Sequence, residues 1–449
     1  MSVLFYTLGV VLFTVAIAAS IGLHEFGHLI PAKKFGCKVP EWFIGFGPTV
    51  WSRKIGETTY GVKAIPLGGF VKIVGMLPPG AEGLVEETTY DDDGQPVHRI
   101  RRSNTGMFTQ LISDARAAEY EYVKAHDTDR LFYKLAPWKK IVVMAGGPAV
   151  NIAIAFIIFS GIYATYGNPA DQDVSTVVAE VPECVIPVAE GERACTDADA
   201  PSPAYAAGIR PGDEMLSING TAIDDWWQMQ EIIRANDSGA AQIVVLRDGE
   251  EVTLDATTTV ELRPTDAAGE KLVQVGFLGV SPEWSYRTGG PLYTLEQMGD
   301  MTVHTVQAMV QLPVKVWDVA KAIVGVEERA ADSPVSVVGG ARFAGETAAA
   351  EQFPLADKTV SLLALIAGFN FFIGMFNFVP LLPLDGGHIA GAAYEWLRRG
   401  LARLFRRPDP GHVDVAKLLP VAYVVALTMM VMGAVLIVAD FVVPLSITG

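Results

Sequence analysis

Val3–His28 reads VLFYTLGVVLFTVAIAASIGLHEFGH, an uncharged apolar run that ends directly in two histidines and a glutamate. At ~1.5 Å per helical residue, Val3–Leu23 is long enough to cross a hydrocarbon core of roughly 30 Å. Ionisable groups at the end of such a span are costly and by default mark function. The run has no basic region ahead of it and no Ala-x-Ala-like site behind it, so it is expected to persist as a helix rather than be removed as a leader. In a helix, His24 and His28 stand at i and i+4 on one face, where both imidazoles can reach one Zn²⁺. Glu25 lies beside them without needing to be a ligand, which suits a general base.

Three further charge-free stretches, Ile141–Tyr166, Thr359–Leu384 and Leu418–Ala439, are equally long. They reconcile a mean hydropathy of +0.31 with a net charge of −16, because the charges lie between the spans. Four membrane-spanning helices are therefore expected. No domain carries a basic stripe, so nucleic acid is excluded as a partner and membrane lipid takes its place.

Lys33, Lys34 and Lys38 follow the first span, Lys134, Lys139 and Lys140 precede the second, and Arg398, Arg399, Arg403, Arg406 and Arg407 follow the third. The segment from Gly167 to Lys358 holds 12 Lys/Arg against 31 Asp/Glu, a net of −19. Positive residues stay inside, so both termini and 167–358 are expected on the outer face of the membrane. Cys37 then lies inside as a free thiol. Cys184 and Cys195 lie outside, where a disulfide closing the short loop between them is expected.

The expected organisation is a first span with the histidine motif (1–30), a membrane-associated sheet rich in Gly and Pro (31–77) and a cytoplasmic insertion (78–137). A second span follows (138–166), then an outer segment (167–290) with a compact unit at about 175–280 and amphipathic outer helices (291–358). A third span ends in Leu384-Asp385-Gly386 (359–388), followed by an inner loop (389–417) and a fourth span (418–443). In the outer unit, a short helix near Ser202–Gly208, a strand before Asn219-Gly220, a helix over Asp224–Asn236 and strands at Gln242–Leu246 and Glu251–Ala256 follow one another. This run resembles a PDZ domain of the bacterial protease-associated kind.

Two histidines do not complete a catalytic zinc site, which needs a third protein ligand and an open position. Asp385 is the only acidic residue from Thr359 to Tyr394. Spans one and three run in the same direction, so their inner ends share a depth and Asp385 can meet His24 and His28. A ligand role for His388 would fill the open position, and it is read as a residue that supports the ligands from behind or as structural. His98, His126, His304 and His412 lie in polar stretches and are expected to be solvated, and Asp440 is expected to mark the outer interface.

The order of these features resembles the site-2 proteases, the RseP-like intramembrane zinc metalloproteases of bacteria, and the Ala/Gly/Asp-rich style suggests an actinobacterial source. The carriers are His24-Glu25-Phe26-Gly27-His28, Gly45-Phe46-Gly47-Pro48, Gly146-Gly147-Pro148 with Asn151, the outer PDZ-like unit, and Asn377…Pro380…Leu384-Asp385-Gly386. One departure is that Pro380 and Pro383 stand three apart rather than two. The resemblance implies a polytopic α-helical membrane protein with a re-entrant β-sheet on the cytoplasmic side and an extracytoplasmic PDZ domain. It implies one Zn²⁺ per chain held by His24, His28 and Asp385, with Glu25 as general base. Asn377 would bind the substrate backbone, and Gly45, Phe46, Gly47 and Pro48 would present a sheet edge to it. The implied substrates are single-span membrane proteins already trimmed outside, anti-sigma factors among them, with a C-terminal peptide as the PDZ ligand. A membrane-anchored PDZ adaptor without catalysis is the alternative; it would lack a ligand or the base, and none is missing. A transporter is disfavoured because the two pairs of spans show no repeat.

Overall fold

The computed structural model describes residues 2–78, 85–90, 96–101, 110, 112–116, 127–187, 193–196, 198–264, 272–351 and 353–445. Most of the insertion at 78–137, with its acidic and basic patches, therefore lies outside the described residues. The chain divides into two compact units, Met1–Ile162 with Gly290–Gly449, and Tyr163–Gly289.

The first unit contains the four helices that are long and apolar enough to cross a membrane. They are α1 (Ser2–Lys34), α2 (Pro137–Thr165), a helix at Leu355–Asn377 and one at Leu419–Val442. α1 runs unbroken through the histidine motif, with Lys33 and Lys34 in its last turn facing the negative end of the helix dipole. After it come β1 (Glu41–Ile55) and β2 (Thr58–Lys72), a hairpin that folds back on itself. Trp42 lies opposite Val71 on one side and Tyr60 on the other, and Tyr60 also lies opposite Arg53. The result is four antiparallel runs in the order 69–72, 41–44, 59–62, 51–55. Both bends fall at glycines with positive φ, Gly45 (88°) and Gly68 (97°), a conformation that a Cβ disfavours. Trp42, Val39 and Ile73 of this sheet region pack with Leu29 and Ala32 of α1 and Val143 and Met144 of α2. The sheet is thus anchored to the same two helices that carry the histidine motif and Gly146-Gly147.

The second unit is a sheet whose strands lie in the order Ser281–Arg287, Asn168–Glu180, Glu214–Ile218, Ala240–Arg247, Glu250–Thr257, with Thr221–Ala222 paired to Glu214–Ile218. Asn219 and Gly220, with φ of 51° and 77°, form the tight turn between Glu214–Ile218 and Thr221–Ala222. The expected helices are α3 (Pro203–Ala207) and α4 (Trp226–Ala235), the latter capped by the Asp225 side chain, which accepts from the Gln228 N–H. Met215, Ile218, Met229, Ile243, Val245 and Leu278 fill its core. Cys184 and Cys195 are joined in a disulfide, and Cys37 is a buried free thiol. A further hairpin, Thr259–Pro264 with Leu272–Phe277, has no counterpart in the expected organisation.

After this unit the chain forms α5 (Pro291–Ile323) and α6 (Val337–Ala349), then the third span α7 (Leu355–Asn377), α8 (Asp385–Leu404) and α9 (Leu419–Val442). The third span does not extend to residue 388. It stops at Asn377, because Pro380 and Pro383 supply no N–H and clash with a preceding helical turn. Asp385 is instead the first residue of α8. Asp440 is 5% exposed and accepts from the Ser336 hydroxyl and the Ser336 and Gly339 N–H groups, with Arg329 paired at 2.9 Å. It fastens the start of α6 to α9.

Candidate metal centre

α1 and α2 cross at glycines. A Cβ on Gly27 would collide with the Gly146 carbonyl, and one on Gly146 with the Gly27 carbonyl. The backbones therefore touch, and the next residue, Gly147, faces the two imidazoles. A Cβ there would collide with His28 Nε2 and lie 2.8 Å from His24 Nε2. The Gly-Gly pair thus does two jobs, helix contact and clearance around the ring nitrogens.

The outer hydrogen bonds set the tautomers. The Ile366 carbonyl can only accept, so Asn370 Nδ2 donates to it (2.9 Å) and Asn370 Oδ1 accepts from Asn151 Nδ2 (3.3 Å). Asn151 Oδ1 is left to accept from His24 Nδ1–H at 2.9 Å, and His28 Nδ1–H donates to the Val143 carbonyl at 2.8 Å. Both Nε2 lone pairs are consequently free. Asn151 and Asn370 are fully buried, and an unpaired amide would be costly there. This relay ties α1, α2 and α7 together.

Asp385 reaches the same point from α8. Its turn is held by the Leu384 N–H to Leu381 carbonyl and Gly387 N–H to Leu384 carbonyl bonds (2.9 and 3.0 Å). Gly386 lies so close to the Phe378 and Val379 carbonyls that a Cβ would clash. The Leu-Asp-Gly-Gly run is therefore a packed helix start that aims one carboxylate at the imidazoles.

The three ligand atoms form a nearly equilateral triangle. His24 Nε2 and His28 Nε2 are 3.2 Å apart, and each is 3.3 Å from Asp385 Oδ2. A tetrahedron with ligands ~2.0 Å from its centre has edges of about 3.3 Å. Two lone-pair nitrogens and a carboxylate oxygen at this spacing repel one another unless a cation sits between them. The donor set and the triangle fit Zn²⁺ with one position open, and these three residues form a potential metal cluster.

A cavity of about 340 Å³ adjoins the triangle, with Glu25, Asn377, Asn151 and the run Gly68–Val71 in its walls. A Cβ on Gly69 would lie 3.2 Å from Glu25 Cγ, so this part of the strand passes directly beside the carboxylate. Asn377 Nδ2 donates to the Ile373 carbonyl at 3.1 Å. Gly45-Phe46-Gly47-Pro48 belongs to β1 and is absent from the cavity wall, where Phe46 instead backs Gly68 at the distance a Cβ would occupy. Sequence reading missed Asn370, Gly147's clearance role and the Gly68-Gly69 wall. The signals available were an asparagine in an apolar span and paired glycines beside an apolar run. His412 is part-exposed, and its Nδ1 lies 3.3 Å from Glu395 Oε1.

The sequence profile of Peptidase family M50 matches residues 12–406. The zinc metalloprotease Rip1 of Mycolicibacterium smegmatis is 33% identical over 98% of this chain and 99% of its own. Rip1 of Mycobacterium tuberculosis is 33% identical over 98% of each chain. The zinc metalloprotease RasP of Geobacillus kaustophilus is 28% identical over 55% of this chain and 62% of its own. A match of this extent, on a chain whose two histidines and aspartate already form a zinc-sized triangle, places the protein in Peptidase family M50 as a zinc metalloprotease of the site-2 type.

Proposed function

We propose that this membrane protease hydrolyses peptide bonds within the transmembrane segments of single-span proteins that have already been trimmed on the outer side, anti-sigma factors being the substrate class suggested by the family. The observation that carries this reading is the single cavity shared by the ligand triangle, Glu25, Asn377 and the strand run Gly68–Val71. In this reading His24, His28 and Asp385 hold one zinc per chain. Zinc held there supplies a Lewis acid for the scissile carbonyl and lowers the pKa of an attacking water.

Glu25 takes the proton from that water as its oxygen bonds to the carbonyl carbon. It then gives the proton to the amine nitrogen as the C–N bond breaks, and ends the cycle ionised as it began. Asn377, with one amide N–H committed to Ile373, uses its remaining polar atoms on the substrate backbone. A transmembrane helix hides its peptide bonds, so it must unwind, and its freed N–H and C=O groups need partners away from water. The 69–72 run, with no partner strand on its outer side among the described residues, supplies them by strand addition. Gly68 and Gly69 let the incoming backbone approach closely, and Gly45–Pro48 support that edge from behind.

The positive-inside distribution supports outer termini and an outer Tyr163–Gly289 unit. That unit acts as the PDZ-like selector. Its groove of about 310 Å³, between α4 and Gly276–Val280, takes a C-terminal peptide, with the Arg263 guanidinium 3.9 Å from the Phe277 ring centre available to a carboxylate.

The test is cleavage of a model transmembrane substrate by purified protein with its zinc measured. Glu25→Gln should keep zinc and lose about 10²–10⁴-fold in rate. Stoichiometric zinc with no Glu25-dependent cleavage would instead support the adaptor.

A further inference from the structure

α8 is amphipathic in the opposite sense to a water-exposed helix. Its inward face carries Glu395, only 1% exposed, with Lys140 Nζ at 2.8 Å, Arg399 at 3.2 Å and the Val413 N–H donating at 3.1 Å. At ~100° per residue, Leu397, Leu401 and Leu404 fall within an arc of roughly 60° on the other side. They are 61%, 45% and 74% exposed. Tyr394 borders this arc, and Phe405 extends it past the helix end; both are exposed. A polar interior with leucines outside is the arrangement expected where the surrounding medium is apolar.

Arginines flank the apolar arc. Arg403, Arg406 and Arg407 are exposed, and their guanidinium groups have no ion-pair or hydrogen-bond partner among the described residues. Trp396, also exposed, lies next to Arg403 around the helix, as an aromatic ring does at headgroup level. The chain enters α8 eight residues after the third span ends at Asn377 and leaves it for the fourth span at Leu419. Both ends of the segment therefore return to the same membrane face, the one richest in Lys and Arg.

We propose that α8 lies in the cytoplasmic leaflet, with Leu397, Leu401 and Leu404 at the acyl boundary and Arg403, Arg406 and Arg407 on anionic phospholipid headgroups. The surface goes beyond peptide hydrolysis: it is a lipid-binding face, and its occupant is the anionic bilayer. Headgroup attraction is worth on the order of fivefold in local enrichment per arginine at the surface. The apolar arc adds depth that charge alone does not give.

The full chain, reconstituted in phosphatidylcholine bilayers with and without phosphatidylglycerol, tests both halves. Nitroxides at Leu401→Cys and, separately, Leu404→Cys should collide more with oxygen than with a water-soluble nickel complex, with Asp409→Cys giving the reverse. Spin-labelled phosphatidylglycerol should exceed labelled phosphatidylcholine in the first lipid shell. That preference should fall on the order of fivefold per arginine in Arg403→Gln, Arg406→Gln and Arg407→Gln. Nickel access at both leucine positions, or spin–spin broadening that reports a second copy seated on this face, would overturn the buried arc. An unchanged lipid preference in the triple variant would overturn the headgroup assignment.

Discussion

Two polar clusters share the helix α8, and they are built on opposite charge logic. One is His24, His28 and Asp385, three groups that all present lone pairs to a common point. The other is Lys140, Glu395, Arg399 and His412, in which Glu395 and Asp409, the latter 3.4 Å from Arg399, balance the two cations. The second is complete in itself. The first is complete only with a cation. Burial alone does not distinguish a functional cluster from a structural one; the sum of the charges does, since an uncompensated buried set must neutralise or bind something.

The largest effect that can break this comparison comes from Asp385→Asn. It removes the anionic ligand and leaves the helix start intact, so cleavage should vanish. Zinc affinity measured by competition with a chelator should fall by well over ~100-fold, more than loss of an outer hydrogen bond brings. Glu395→Leu should do the reverse. It strands Lys140 among apolar groups and should cost about 3–5 kcal/mol of stability, read as thermal unfolding in detergent, while zinc per folded chain stays at one. If both variants lost zinc equally, the two clusters would not be separable.

Smaller effects sharpen it. Asn151→Ala frees the His24 ring to rotate or change tautomer and should weaken zinc about 10–100-fold without abolishing cleavage at saturating metal. Gly147→Ala should behave as a steric version of the same loss, because its Cβ needs the space held by the ring nitrogens.

The smallest effect belongs to the Tyr163–Gly289 unit, where Asp213 meets Arg247 at 2.8 Å. Burial pushes the Asp213 carboxyl up, but the Arg247 guanidinium and the Arg210 N–H more than offset this and hold it below the ordinary carboxylate range. The folded form therefore binds its proton less readily than the unfolded chain. Its contribution is fully present above about pH 4, the ordinary value, and is lost as pH falls below that toward the folded value. Amide exchange in Ala240–Arg247 of the full chain, corrected for intrinsic rates, should keep its protection at neutral pH and lose part of it below about pH 4. Asp213→Asn should remove the pH step. At neutral pH the substitution should leave zinc untouched.

Much of this was legible from residues alone, for reasons that are local. Uncharged runs report spans, and the i, i+4 histidines report a shared face. A lone acid at the end of an apolar stretch reports a ligand. Asn219-Gly220 reports its turn because φ > 0 is intrinsic to that pair. The rest depended on partners distant in sequence. The 69–72 edge exists because β1 is used twice, by Tyr60 and by Val71, and no periodicity in Glu41–Lys72 announces that. Asn370 acquires its role only when α7 is placed against Asn151. The end of the third span at Asn377 could have been read from Pro380 and Pro383, whose missing N–H groups forbid a continuous helix. The role of Asp440 was not legible because its partners, Ser336 and Arg329, are about a hundred residues away.

The central claim is that two imidazoles and one carboxylate share one ion. Zinc-edge X-ray absorption on the purified full-length protein tests it most directly. One zinc per chain, with a shell of nitrogen and oxygen near ~2.0 Å and the outer-ring scattering of two imidazoles, is the predicted result, with one imidazole lost in His28→Ala. A zinc-free protein under saturating metal, or a bound zinc whose shell contains sulfur or no imidazole, would contradict it.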